Sequence, residues 1–287
     1  PTRRSSDLIR GHSSHMNAIC HICPHHCQLQ DGQVGFCRAR QNVDGFIKCI
    51  NYGKLTSIAI DPIEKKPLNR FFPGSRILSV GSFGCNLRCP FCQNYEISMA
   101  DEQSSTTSYY APERLVELAM RTRVEGNIGI AFTYNEPLIG HEYVKDTSLL
   151  ARDKGLETVL VTNGYINEEP LRELLPSIRA LNIDLKAFST EFYSHIHGDL
   201  ETVKRSIEIA SLQAHVEVTT LIIPGENDSD EEMRALSLWL GRVNPEIPYH
   251  ITSFYPRYRM TDRGRPTADT IDRLAGIASM SLRHVYA

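Results

Sequence analysis

Cys85, Cys89 and Cys92 form a C-x3-C-x2-C run, a spacing that lets three thiolates approach one metal centre from a single loop. Three sulfurs suit a cube of four irons: each cysteine holds one iron, and the fourth iron is left open to a substrate or cofactor. A zinc ion with a distant fourth ligand is the competing reading, because structural zinc sites close with four protein ligands. A second group, Cys20-x2-Cys23-x3-Cys27-x9-Cys37, offers four thiols, with His21, His25 and His26 as spare nitrogen donors. It reads as a zinc site, a second iron-sulfur cluster or a set of reduced free thiols. Cys49 stands alone in a strand-like piece and reads as a small buried hydrophobe. Disulfide frameworks belong to small secreted domains, so the thiols are read as reduced, in a cytoplasmic protein.

Such groups need a scaffold to bring them together. Residues 17–73 show little periodicity; strand-like pieces at 46–50 and 55–60 between Gly and Asp turns suit a small irregular Cys-rich module. From residue 76 onward, short apolar runs alternate with amphipathic segments. Strands are expected over 77–80, 128–132, 158–162, 180–185, 215–223 and 249–254, and helices over 112–123, 138–154, 168–175, 200–212, 229–243 and 267–280. Ser229 with Glu232 makes a capping box at one helix start, and Thr267 an N-cap at another. The β-then-α alternation predicts an α/β fold with a parallel sheet and right-handed crossovers. Short strands, with no G-x-G-x-x-G after the first, favour a partial (β/α)6 TIM-like barrel over an open dinucleotide-binding sheet. In barrels the chemistry sits at the C-terminal strand ends, where the three-cysteine loop falls.

The chain divides on this reading into residues 1–15, 16–73 and 74–287. The first is an Arg- and Ser-rich leader resembling a translated sequencing adapter, with native sequence expected from Met16. The second is the Cys-rich module with its linker. The third is the barrel domain, expected to be truncated at Ala287, where it stops without a turn or polar tail. Within 61–74, Lys65, Lys66 and Arg70 lie among prolines, as in a rigid linker with solvated lysines, or a lid or docking surface over the barrel mouth. Thirty-one Lys and Arg against 34 Asp and Glu give a net charge of −3, which provides no electrostatic footprint for nucleic acid or an anionic membrane. No apolar run approaches the ~18 residues that span a bilayer.

The run from Cys85 to Cys92, with Phe91 before its third cysteine, resembles the signature of the radical S-adenosylmethionine (SAM) superfamily. The resemblance implies a [4Fe-4S] cluster whose open iron is chelated by SAM. It also implies reductive cleavage of SAM to a 5′-deoxyadenosyl radical that abstracts hydrogen, and an electron donor such as a flavodoxin or ferredoxin. The signature itself puts Phe91 near the cofactor, and matching later strand ends residue by residue adds Glu136, Thr162, Asn163, Asp184, Lys186 and His250: Glu136 by the SAM amino group, His250 by the ribose. Asp184 and Lys186, on one side of a strand, suit a zwitterion; a plain structural ion pair is the alternative. Tyr134 and Asn135 replace the two glycines that relatives often carry before this glutamate, and Val161 stands where activating enzymes have an acid.

The pieces DPIEKKPL, FFPGS, FCQN, FTYNEPLIG, VTNGYI, NIDLKAF and LIIPGENDS resemble the radical SAM member of the AmmeMemoRadiSam system, a relative of the pyruvate formate-lyase activating enzymes. That resemblance implies Memo-type and AMMECR-type partners and leaves the substrate open. Two alternatives remain: an activating enzyme that installs a glycyl radical on a partner protein, and a non-enzymatic zinc-binding adaptor.

Overall fold

The computed structural model describes residues 17–287; the leader expected at 1–15 lies outside the described residues. Eight strands make one sheet: β1 (Ser57–Pro62), β2 (Arg76–Gly81), β3 (Asn127–Phe132), β4 (Glu157–Thr162), β5 (Ala180–Asp184), β6 (His215–Ile222), β7 (Tyr249–Ser253) and β8 (Val285–Tyr286). They lie side by side in chain order. β2 to β8 run parallel and β1 is antiparallel to β2, while among the described residues β1 and β8 do not pair, so the barrel stays open. The crossovers carry helices α1 (Pro112–Arg121), α2 (His141–Asp153), α3 (Glu168–Leu174), α4 (Leu200–Ser211), α5 (Asp230–Val243) and α6 (Ala268–Ala278).

The six expected strands are β2 to β7. The sheet begins earlier than expected, because 57–62 forms its antiparallel edge, so the division at residue 74 falls after the first strand. Side chains alternate across the sheet. Leu78, Val80, Ile130, Phe132, Leu181 and Ile183 enter the core shared with the helices. Ile77, Ala131, Val159 and Ala180 face the other way, where Ile63, Leu68 and Phe71 close on them. Gly129 of β3 sits directly beside Glu157 of β4: a Cβ on it would lie 1.9 Å from the Glu157 carbonyl oxygen, so only glycine fits.

The segment between β1 and β2 packs into the fold; Lys65 and Arg70 are exposed as expected of a linker, but the expectation of a solvated Lys66 is corrected. Ile63 and Leu68 are fully buried, each contributing about 2 kcal/mol of apolar burial. Lys66 is only 2% exposed and donates to Asp61 at 2.8 Å. The amides of Asn69 and Arg70 donate to the Glu217 carboxylate in β6, at 3.0 and 2.8 Å. This segment plugs the barrel from the N-terminal side of the strands.

The Cys-rich module holds a hairpin of Arg40–Val43 with Phe46–Cys49. Cys37 and Ala39 pack on Phe83, Ala100 and Ile139, and buried Arg40 forks onto Glu142 at 2.8 and 2.6 Å. Cys49 is half-buried, and its thiol donates to Asn51 Oδ1 at 3.0 Å. The expected caps at α5 and α6 are present, Ser229 accepting from the Glu232 amide and Thr267 from the Thr270 amide. The return half of the capping box differs: the Glu232 carboxylate instead accepts from the Phe188 amide at 2.6 Å. No described helix is long and apolar enough to cross a membrane.

Candidate active site

The loop leaving β2 carries Cys85, Cys89 and Cys92 to the C-terminal ends of the strands, where they line a cavity of about 460 Å³. Gly84 sets the loop's path. Its φ is +89°, and an added Cβ would sit 2.4 Å from the Cys37 carbonyl oxygen, so glycine is required for both reasons. Asparagines fasten the loop. Asn135 donates to the Phe83 and Gly84 carbonyls and accepts from the Ser82 amide, while Asn86 accepts from Asn163 at 2.9 Å and donates to the Tyr165 carbonyl at 2.7 Å. Arg88 donates to the carbonyls of Cys85 and Leu87, and its guanidinium lies 3.8 Å from the Phe36 ring centroid. His25 of the module meets the Asn86 carbonyl oxygen at 2.8 Å.

The other strand ends supply charge. Glu136, 3% exposed, accepts from Thr162 Oγ1 at 2.7 Å, the Asn163 amide at 2.8 Å and the Leu138 amide at 2.9 Å. Burial lifts its carboxyl to about 7 in spite of these three donors, none of them charged. Lys186 donates to Asp184 at 2.6 Å. Burial opposes the lysine's charge, but Asp184 outweighs it and raises the ammonium above its ordinary value. Phe91, Thr162 and Asn163 also line the cavity.

His250 is placed elsewhere, and the expectation of a histidine beside the cofactor is corrected. It is the second residue of β7, near the opposite end of the barrel, and bonds Glu217 Oε2 at 2.6 Å while stacking on Tyr286. Thr252, Ser253 and Tyr255, later in the same chain segment, reach the cavity instead. Tyr134 resolves the missing-glycine question: it adopts φ +71° itself, and its hydroxyl donates to Asp61 at 2.6 Å. Asn86, Asn135 and Tyr134 were not assigned site roles from sequence. Their only signal was placement just after strands, in loops.

The donor set suits the cluster. Burial pushes the Cys85 thiol well above its ordinary value and the Cys89 thiol up to about 12. Buried thiols of this kind ionise when a metal's positive charge compensates them. A cube of four irons takes one thiolate per iron, so three cysteines on one loop serve it without meeting on a single ion. The pair Asp184–Lys186 and the carboxyl of Glu136 face the same cavity and match a zwitterionic ligand. Cys20, Cys23, Cys27 and Cys37 line a separate, small void with His25, His26 and Arg40; His21 is not among its lining residues.

Comparison with known proteins agrees with this geometry. The sequence profile of the Radical SAM superfamily matches residues 79–236. An uncharacterized protein of Methanocaldococcus jannaschii is 39% identical over 271 residues, covering 93% of this chain and 80% of its own length. Pyruvate formate-lyase 1-activating enzyme of Escherichia coli is 23% identical over 220 residues, 71% of this chain and 89% of its own. In fold alone, Streptococcus suis SuiB bound to precursor peptide SuiA is similar with a TM-score of 0.56 at 11% identity, over 72% of this chain and 47% of that one. The chain belongs to the radical SAM superfamily and is a radical SAM enzyme.

Proposed function

We propose that the protein uses a [4Fe-4S] cluster on Cys85, Cys89 and Cys92 to cleave SAM reductively, in the manner of the AmmeMemoRadiSam radical SAM member. The observation that carries this reading is the convergence of three thiols, Glu136 and the Asp184–Lys186 pair on one cavity. When bound, cluster and SAM supply a 5′-deoxyadenosyl radical for hydrogen abstraction. The chain's own residues do the rest. Lys186 and Asp184 present opposite charges to the SAM carboxylate and amine. Glu136 adds an acceptor for the amine and is held in place by Thr162 and Asn163. Buried Phe91 and Leu87 exclude water from the wall of the cavity.

The finer assignment is supported by the way its distinctive motif pieces meet. Asp61 and Lys66 of DPIEKKPL hold Tyr134 of FTYNEPLIG, by hydrogen bond and by an ammonium 4.6 Å from the ring centroid. Asn94 of FCQN donates to the Tyr134 carbonyl at 2.8 Å, and Asn227 of LIIPGENDS donates to the Lys186 carbonyl at 2.9 Å. Partners of Memo and AMMECR type, an electron donor such as flavodoxin or ferredoxin, and a cytoplasmic location belong to the same reading. The second metal centre is proposed at Cys20, Cys23, Cys27 and Cys37, which line one void; its metal is zinc or a further iron-sulfur cluster. Hydrogen abstraction from a glycine on a partner protein is the alternative, supported by the likeness to pyruvate formate-lyase activating enzymes.

Anaerobic purification tests the proposal. We expect brown protein with about four irons or more per chain. Colourless protein holding only zinc after iron and sulfide reconstitution would contradict it. Pull-down with Memo-type and AMMECR-type proteins, and 5′-deoxyadenosine yield with and without them, tests the finer assignment.

A further inference from the structure

Of the four arginines between residues 257 and 265, three have no acidic partner among the described residues. Arg263 takes the nearby carboxylates, pairing with Asp262 at 3.2 Å and Glu226 at 2.5 Å. Arg257, Arg259 and Arg265 are exposed and instead lie over rings: Arg257 5.8 Å from the Tyr95 centroid, Arg259 5.1 Å from Tyr258 and Arg265 4.0 Å from Tyr255. A guanidinium stacked on a ring keeps its N–H edge available for a carboxylate.

This strip borders the mouth of the cavity. Tyr255 lines the cavity, and Tyr95 follows the lining residue Asn94. The Arg259 amide donates to the carbonyl of Pro90, inside the three-cysteine run, at 2.9 Å, and Arg257 and Met260 exchange backbone bonds at 3.1 Å. The strip is thus fixed to the cluster loop. It places three uncompensated positive charges at the entrance of a chain whose net charge is −3.

We propose that this strip docks an acidic polypeptide segment, the part of the substrate that stays outside the barrel while the reacting residue enters. The inference rests on the radical SAM reading of the cavity and names the substrate class for it. None of the three arginines lines the cavity, which must also admit SAM, so the anionic groups they recognise lie on a ligand that extends outward. An extended chain advances about 3.3 Å per residue and presents successive carboxylates along such a strip, which a compact anion does not. Nucleic acid fits less well: Tyr95 and Tyr258 are stacked on each other at 4.5 Å and capped by guanidiniums, leaving bases poorer platforms.

The test is fluorescence anisotropy with reconstituted holoenzyme and a labelled peptide of alternating Glu and Gly. We expect saturable binding that weakens with added salt and falls about tenfold in the triple variant Arg257→Gln, Arg259→Gln, Arg265→Gln. The equally charged control Arg121→Gln, Arg234→Gln, Arg242→Gln, on α1 and α5, should bind as the wild type does. Should the triple variant lose its iron, the three single variants, each weakened about twofold, serve instead. Unchanged binding in the rim variants overturns the proposal. So does equal binding of a Lys-Gly peptide, displacement by oligothymidylate, or displacement by inorganic pyrophosphate at matching concentration. Peptide binding is read without turnover, so a wild type that cleaves SAM while the rim variants bind normally refutes this inference and leaves the radical SAM reading standing.

Discussion

Glu136 and Glu217 are buried carboxylates at opposite ends of one barrel, and their neighbours drive them apart. At Glu136 burial prevails over a hydroxyl and two amides, and the carboxyl rises to about 7. At Glu217 burial pushes the same way, but His215, His250 and the Arg70 and Asn69 amides outweigh it and hold the group at about 2. Glu217 accepts four hydrogen bonds where Glu136 accepts three, and at Glu217 they outweigh burial. The end at the β-strand C-termini keeps its charges facing a cavity, where a ligand completes them. At the other end Glu217 and Asp61 find their partners within the chain, and the 63–75 segment plugs the barrel.

Changes at the two ends should therefore read out differently. Replacing Lys186 by Met removes the ammonium from the cavity and should weaken SAM binding by about 100-fold, on the order of 3 kcal/mol, in calorimetry on iron-loaded protein. SAM affinity within twofold of the wild type would break the comparison. Glu217→Ala leaves two histidines and two amides without their acceptor, and should cost about 3–5 kcal/mol in denaturant unfolding with SAM affinity unchanged.

Acid titration sharpens the contrast. Glu217 has a folded value below the ordinary 4.5, so its stabilisation is complete above about 4.5 and is lost as pH falls through about 2. On the order of 3 kcal/mol should disappear across that window in the wild type, and Glu217→Gln should flatten the profile there. His250→Gln should cost a smaller ~1–2 kcal/mol by losing one bond to Glu217, again without effect on SAM affinity. A loss of SAM affinity there would restore the cofactor role that its position argues against. Tyr134→Phe removes the hydroxyl that bonds Asp61, and about 1 kcal/mol should separate it from the wild type by melting.

The six central strands were legible because short apolar runs alternating with amphipathic helices leave a strong local pattern. β1 was legible as the strand-like piece at 55–60 but its place in the large sheet was not: its burial does not alternate, and it joins the sheet only through an antiparallel partner across the 63–75 connection. Lys65 and Lys66 look alike in sequence, yet Lys66 is buried because Asp61 and Tyr134 enclose it, a long-range arrangement that composition does not carry. His250 shows the limit of residue matching. Periodicity gives the face of a strand that a side chain occupies, but not its height in the barrel, and height decides between the cavity and the plug. The three-cysteine loop escaped these difficulties because its ligands lie within eight residues of chain.

The central claim is that Cys85, Cys89 and Cys92 hold the cluster that cleaves SAM. Its most direct test is 5′-deoxyadenosine formation from SAM under dithionite, comparing the reconstituted wild type with the triple variant Cys85→Ala, Cys89→Ala, Cys92→Ala. The account predicts product from the wild type and none from the variant, which keeps any metal bound at Cys20, Cys23, Cys27 and Cys37. Product formation that survives the triple change would contradict it.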